Sequence, residues 1–133
     1  MNKNENSPLS SYTSEQFDQS LEDSAYFGRM TDPTTASRIE GPCGDDIEFY
    51  LIIKDDIIEE IKFFTEKGCC NTKIAGKAVA IRAKNKCILD SLKINPGSII
   101  EEESGLDEGG KHCSILAVTA LYRAIALHFL NAQ

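Results

Sequence analysis

The chain has 133 residues, of which 41% are hydrophobic, with a formal net charge of −7 and five cysteines. Length and composition fit one compact domain, and the acidic balance excludes nucleic acid as a natural partner, because a phosphate backbone requires a basic stripe. No apolar run is expected to approach the ~20 residues that span a bilayer, and an odd number of cysteines without a secretion signal predicts a reducing cytoplasm, with thiols kept free for metal or sulfur chemistry.

Residues 1–24 are rich in Ser, Asn, Gln, Asp and Glu and read as a mobile polar tail, with a short helix over 14–23 for which Ser14 is the N-cap. The tail is acidic and has no Arg before Arg29, which excludes a mitochondrial presequence. The domain proper is placed at 25–133, with Tyr26-Phe27-Gly28 as its anchor. Asp32-Pro33 marks a turn, and Pro33 tolerates only the start of an edge strand.

A β-hairpin follows. Ile47, Phe49, Leu51 and Ile53 alternate on one face, with Glu48, Tyr50 and Lys54 on the other. Lys54-Asp55-Asp56 is a short polar turn, and residues 57–64 continue as a second, two-sided strand. With the turn centred on Asp55-Asp56, facing residue numbers sum to about 111, within a residue or two for a bulge. That register lays Cys43 opposite Gly68, beside Cys69.

The sheet needs helical cover. Over 70–86, Ile74, Ala78 and Ile81 recur at helical spacing, with Ala75 and Val79 beside them. Gly76 costs about 1 kcal/mol relative to Ala in mid-helix, which predicts close packing against a neighbour. A second short helix is expected over 87–92, a breaker at Asn95-Pro96-Gly97, and a third helix over 99–105. The last helix opens at Gly109-Gly110 and carries an apolar stripe of Ile115, Val118, Thr119, Tyr122, Ile125, Ala126 and Phe129. The predicted fold is α+β: a small antiparallel sheet of about three strands, backed by several helices, the last one long.

Three loop ends converge on one rim of this arrangement. Gly41-Pro42-Cys43-Gly44-Asp45 carries a carboxylate two positions past a thiol. Gly68-Cys69-Cys70-Asn71-Thr72 is a strand-to-helix corner, where free backbone N–H groups favour a thiolate. Gly109 to Ser114 offers His112 beside Cys113. Three cysteines, one Asp and one His form a soft-metal shell. Asp45 serves either as a ligand or as a turn cap, and His112 either as a ligand or as a helix-start residue bonding a carbonyl. Cys70 reads as an extra thiol that relays sulfur, substitutes as a ligand or packs, Cys87 as core, His128 as a cation favoured at a helix C-terminus, and Glu101–Glu103 as a solvated face.

Gly41–Asp45 (GPCGD), Lys67–Cys69 (KGC) and Lys111–Ala117 (KHCSILA), in that order and spacing, resemble the U-type iron–sulfur cluster scaffold proteins, the IscU, SufU and NifU N-terminal family. The resemblance covers 28–130. It implies that a labile 2Fe–2S cluster is built on Cys43, Cys69 and Cys113, with Asp45 or His112 completing the shell. It also implies iron as a substrate, a cysteine desulfurase as the sulfur donor, Cys113 as the persulfide acceptor, and apo iron–sulfur proteins as recipients. The expected role is a scaffold rather than an enzyme.

The SufU branch supplies the alternative, a sulfurtransferase with zinc on the same three cysteines and Asp45. That branch carries an insertion between the second and third cysteines, and the 44 positions from Cys69 to Cys113 are too few for it. Many bacterial members show Leu-Pro-Pro-Val-Lys where this chain reads Leu106-Asp107-Glu108-Gly109-Gly110-Lys111, so the resemblance does not extend to the grip of a specialised Hsp70 chaperone. The CxxC-bearing domain of the modular scaffolds is not expected after Gln133.

Overall fold

A computed structural model of the chain describes residues 25–131; the tail over 1–24 and its helix at 14–23 lie outside the described residues. The strands β1 (Thr35–Glu40), β2 (Asp46–Lys54) and β3 (Ile57–Phe64) form an antiparallel sheet in the order β1-β2-β3. The helices α1 (Cys70–Ala83), α2 (Ile88–Ser91), α3 (Pro96–Glu102) and α4 (Gly110–Asn131) follow. This is the expected α+β architecture: alternation predicts the β2–β3 hairpin, helical spacing predicts the helices, and the family resemblance implies the edge strand β1.

The hairpin turns on Asp55 and Asp56, at φ 53° and 62°. Both lie in the left-handed region that a two-residue hairpin requires, and a short polar side chain tolerates it. The ladder runs Lys54↔Ile57 and Ile53↔Ile58, then jumps to Ile52↔Glu60 and continues to Glu48↔Phe64. Glu59 is therefore a bulge residue. One extra residue reverses the alternation, which puts Ile58 on the same inner face as Ile61 and Phe63. All three are buried, as are Ile47, Phe49 and Leu51 opposite them.

Helices α1 and α4 cover that face. A Cβ on Gly76 would lie 2.5 Å from Phe63 Cδ2, so α1 rests directly on the phenyl ring and only glycine fits there. The chain before β1 grips the sheet too: Gly28 N–H donates to the Phe63 carbonyl at 2.8 Å, and the Phe27 ring lies against Phe63 and Phe64. Tyr26-Phe27-Gly28 thus anchors as expected.

The buried faces of the helices differ from the expected stripes. On α4 the buried residues are Gly110, Cys113, Ser114, Ala117, Val118, Ala120, Leu121, Ala124 and Ile125. Ile115, Thr119, Ala126 and Phe129 face outward. The cause is the close approach of β1, whose Ser37 and Thr35 hydroxyls donate to the Ala120 and Ala124 carbonyls at 2.6 and 2.8 Å. Only small side chains fit between. On α1, likewise, Ala75, Ala80 and Ala83 are buried while Ile81 is 43% exposed.

Helix α4 is also long and apolar enough to cross a bilayer by length and composition, which corrects the expectation that no such run exists; half of its apolar stretch is buried within the domain. Asn95-Pro96-Gly97 starts a helix rather than only breaking one. The Asn95 side chain accepts from Ser98 N–H at 3.0 Å, and Pro96 occupies the first turn of α3. Glu102 and Glu103 accept from Arg82 at 2.7 and 3.1 Å, tying α3 to α1 rather than only facing solvent.

Candidate metal centre

The backbone ladder between β2 and β3 stops at Glu48↔Phe64, and a side chain takes over beyond it. Asp46 Oδ1 accepts from the Thr65 hydroxyl at 3.1 Å, from Glu66 N–H at 3.0 Å and from Lys67 N–H at 2.9 Å. Its Oδ2 accepts from Arg38 at 3.1 Å. Burial alone would push this carboxyl upward. The bonds from Lys67, Glu66 and Thr65, and the Arg38 charge, outweigh burial and hold it below its ordinary value. Asp46 thereby fixes the segment that leads into Cys69.

The loop before β2 closes on itself instead of pairing across. Gly41 N–H donates to the Asp45 carbonyl at 2.7 Å, and Gly44 N–H to the Gly41 carbonyl at 3.0 Å. Gly44 sits at φ 89°, where a side chain would be strained. Cys43 is therefore not laid opposite Gly68 by the ladder, as the register had predicted. It is swung outward and exposed.

Asp45, Cys69 and Cys113 come together, with one ligand atom from each lying within 4.8 Å of the others. Cys69 is the N-cap of α1 and Cys113 lies in the first turn of α4. The Cys113 thiol donates to Asp45 Oδ2 at 3.7 Å. The Thr72 hydroxyl stands between the two sulfurs, 3.7 Å from Cys69 Sγ and 3.4 Å from Cys113 Sγ.

The two thiols are held differently. Burial would raise Cys69, but bonds from the Thr72 N–H and hydroxyl and from the Asn71 N–H prevail and lower it. Cys113 is only 4% exposed. Its thiol is pushed up to about 11 by burial, against the Thr72 bond, with the nearby Cys69 and Asp45 charges adding to the rise.

A cavity of about 370 Å³ opens over this cluster, and Cys43, Asp45, Cys69, His112 and Cys113 all line it. Every residue read from the sequence as a ligand candidate thus reaches one cavity. Cys43 and His112 are on its exposed wall, outside the close trio. Between the two alternatives for a fourth donor, Asp45 is the one beside the sulfurs. Cys70 is exposed rather than packed and lines a different groove with Lys73 and Lys77. Cys87, expected in the core, is half-buried as the N-cap residue of α2 next to Ile57, at the turn end of the hairpin. Two thiols and a carboxylate at this spacing suit a borderline or soft metal ion such as iron or zinc.

Three positioning residues escaped the sequence reading. Asp46 follows the loop carboxylate Asp45 directly, and its pattern carries no signal that sets the two apart. Thr72 had a signal, since it stands three residues after an N-cap, where a side chain faces the cap. Asn71 Nδ2 donates to Asp107 Oδ1 at 2.7 Å, and the same oxygen accepts from Gly109 N–H at 2.9 Å. That contact fastens the approach to α4 onto the first turn of α1 and so sets the separation of Cys69 from Cys113.

Comparison with known proteins places this geometry among relatives. A family model described as the NifU-like N terminal domain matches residues 15–132. The chain is 37% identical over 103 residues to the iron-sulfur cluster assembly scaffold protein IscU 1 of Archaeoglobus fulgidus, covering 77% of this chain and 67% of that one. It is 38% identical over 85 residues to iron sulfur cluster assembly protein 1 of Trachipleistophora hominis, covering 63% and 59%. Among solved structures, the SUF-system protein FiSufU of Fervidobacterium islandicum AW-1 superposes with a TM-score of 0.63 at 16% identity, over 86% of this chain and 96% of that one. At that identity the likeness is one of fold.

Proposed function

Because the chain belongs to the NifU-like N-terminal domain family, we propose that it is a scaffold on which iron and sulfur are assembled into a labile 2Fe–2S cluster for transfer to apo-proteins. Its role is that of a carrier rather than an enzyme. The observation that carries this reading is the trio of Asp45, Cys69 and Cys113, within 4.8 Å of one another beneath a cavity that Cys43 and His112 also line. Cys43 supplies the third sulfur from a loop that bonds mostly to itself, and zinc is a competing occupant of the same donors.

The sulfur comes from a cysteine desulfurase as the outer atom of a persulfide. A thiolate of this chain attacks that atom, the S–S bond breaks, and the desulfurase cysteine leaves as thiolate. An external two-electron donor reduces the new persulfide to the sulfide that the cluster takes up. Cys69 is exposed and favoured as thiolate, so it can accept sulfur directly. Cys113 is buried and protonated until a metal ion held by Cys69 and Asp45 takes its proton's place, because a coordinating thiol is deprotonated outright. The partners are a desulfurase and apo acceptors, in the cytoplasm. Leu106 to Lys111 lacks the Leu-Pro-Pro-Val-Lys grip motif, which argues against transfer driven by a specialised Hsp70 chaperone.

Asp45 is the release element. A carboxylate oxygen holds iron less tightly than a thiolate does, and it adds negative charge beside the sulfurs. The test is anaerobic reconstitution of wild type and Asp45→Ala, followed by decay of visible absorbance in air and loading of an apo-ferredoxin. The variant's cluster should last longer and transfer more slowly. Faster loss with normal transfer would leave Asp45 as a turn residue.

A further inference from the structure

Thr72 is wholly buried, yet its hydroxyl lies within reach of Cys69 Sγ, at 3.7 Å, and of Cys113 Sγ, at 3.4 Å. The usual arrangement for a helical threonine is seen at Thr119, whose hydroxyl donates to the Ile115 carbonyl at 2.7 Å. The Thr72 hydroxyl is turned to the sulfurs instead. The side chain is also wedged in place, since a Cβ on Gly68 would come within 2.8 Å of Thr72 Cβ. Thr72 is thus fixed between the first turns of two helices, each of which presents a thiol.

A hydroxyl has one hydrogen to donate and lone pairs to accept. With Cys113 as the thiol, its hydrogen directed at Asp45 Oδ2, the Thr72 hydroxyl can donate to a Cys69 thiolate. With both ligating a metal as thiolates, its single hydrogen can serve only one of them. We infer that Thr72 is a positioning residue that spaces Cys69 and Cys113 for a shared metal ion and hydrogen-bonds one of the two ligated sulfurs. The bonded sulfur is then the weaker donor of the pair. Groups that hydrogen-bond to metal ligands commonly change affinity about 10- to 100-fold.

The inference rests on the proposed ligand set, and Co²⁺ binding separates the two. Wild type, Thr72→Ser, Thr72→Val and Thr72→Ala are titrated anaerobically with Co²⁺, following the thiolate-to-cobalt charge-transfer bands, with thermal melts of each apo-protein. Thr72→Ser should bind like wild type. Thr72→Val and Thr72→Ala should bind about tenfold more weakly, because the two sulfurs lose the group that spaces them, while the charge-transfer band moves to lower energy, because a thiolate stripped of its hydrogen bond gives up charge more easily. If wild type shows no thiolate bands, the ligand set is wrong and the Thr72 assignment goes with it. If wild type shows them and Ser behaves no better than Ala, or the band stays fixed in all variants, Thr72 only fills space and the inference is overturned. Should Thr72→Val fail to fold, the Ser and Ala variants, which differ by one oxygen, decide the question.

Discussion

Two carboxylates one residue apart divide the open end of the hairpin into a front and a back. At the back, Asp46 is wholly buried, and a hydroxyl, two backbone N–H groups and a guanidinium fill its oxygens. At the front, Asp45 is half-buried and faces the Cys113 thiol across 3.7 Å, with Cys69 close by. The side chains are identical and their surroundings opposite. A carboxylate whose two oxygens are both engaged by the protein is part of the fold, whereas one set among thiols at a cavity is available to a ligand.

The largest effect expected from this contrast is on stability. Asp46→Ala strands the Thr65 hydroxyl, two N–H groups and Arg38, and should cost about 3 kcal/mol in urea unfolding. Asp45→Ala should cost no more than about 0.5 kcal/mol, as at an ordinary loop position. Equal losses would erase the distinction between front and back.

Chemical modification separates the two thiols of the front. At pH 7.5, iodoacetamide should label Cys69, exposed and lowered, long before Cys113, which is buried and pushed up to about 11. Each unit of pKa costs about tenfold in thiolate fraction. Peptide mapping over time gives the order, and labelling of Cys113 first would reverse the assignment.

Acid should weaken the back in a defined window. The Asp46 carboxyl lies below its ordinary value of 3.8 in the folded chain. The stability it adds is complete above about pH 4 and is lost as pH falls through the folded value. The advantage of wild type over Asp46→Asn should therefore hold constant from about pH 7 to 5 and shrink below about pH 4. An advantage that grew on acidification would mean the carboxylate is not stabilised by these partners.

The sequence predicted the hairpin and its turn well, because strict alternation around Asp55-Asp56 leaves few other arrangements. The bulge at Glu59 was not locatable, since Ile57 and Ile58 each satisfy an inward position. Both long helices were recognised, but their faces were misjudged. Large apolar residues such as Ile81, Ile115 and Phe129 were assigned inward, whereas the close approach of β1 to α4 and of α1 to Phe63 selects Ala and Gly. The five candidate donors were legible because each sits at the end of an element, where loops converge. Thr72 and Asp46 were not, because their roles depend on how the ladder terminates and how two helix starts meet.

In the proposed scaffold Cys69 and Cys113 hold the cargo while Cys87, at the other end of the hairpin, does not. The most direct measurement is the visible absorbance and the iron and acid-labile sulfide content per chain after anaerobic reconstitution with iron, sulfide and a cysteine desulfurase. Wild type and Cys87→Ser should take up equal cluster, and Cys69→Ser and Cys113→Ser should retain none through a desalting column while folding normally by circular dichroism. Loss of the cluster in Cys87→Ser, or full retention in Cys69→Ser or Cys113→Ser, would contradict the account.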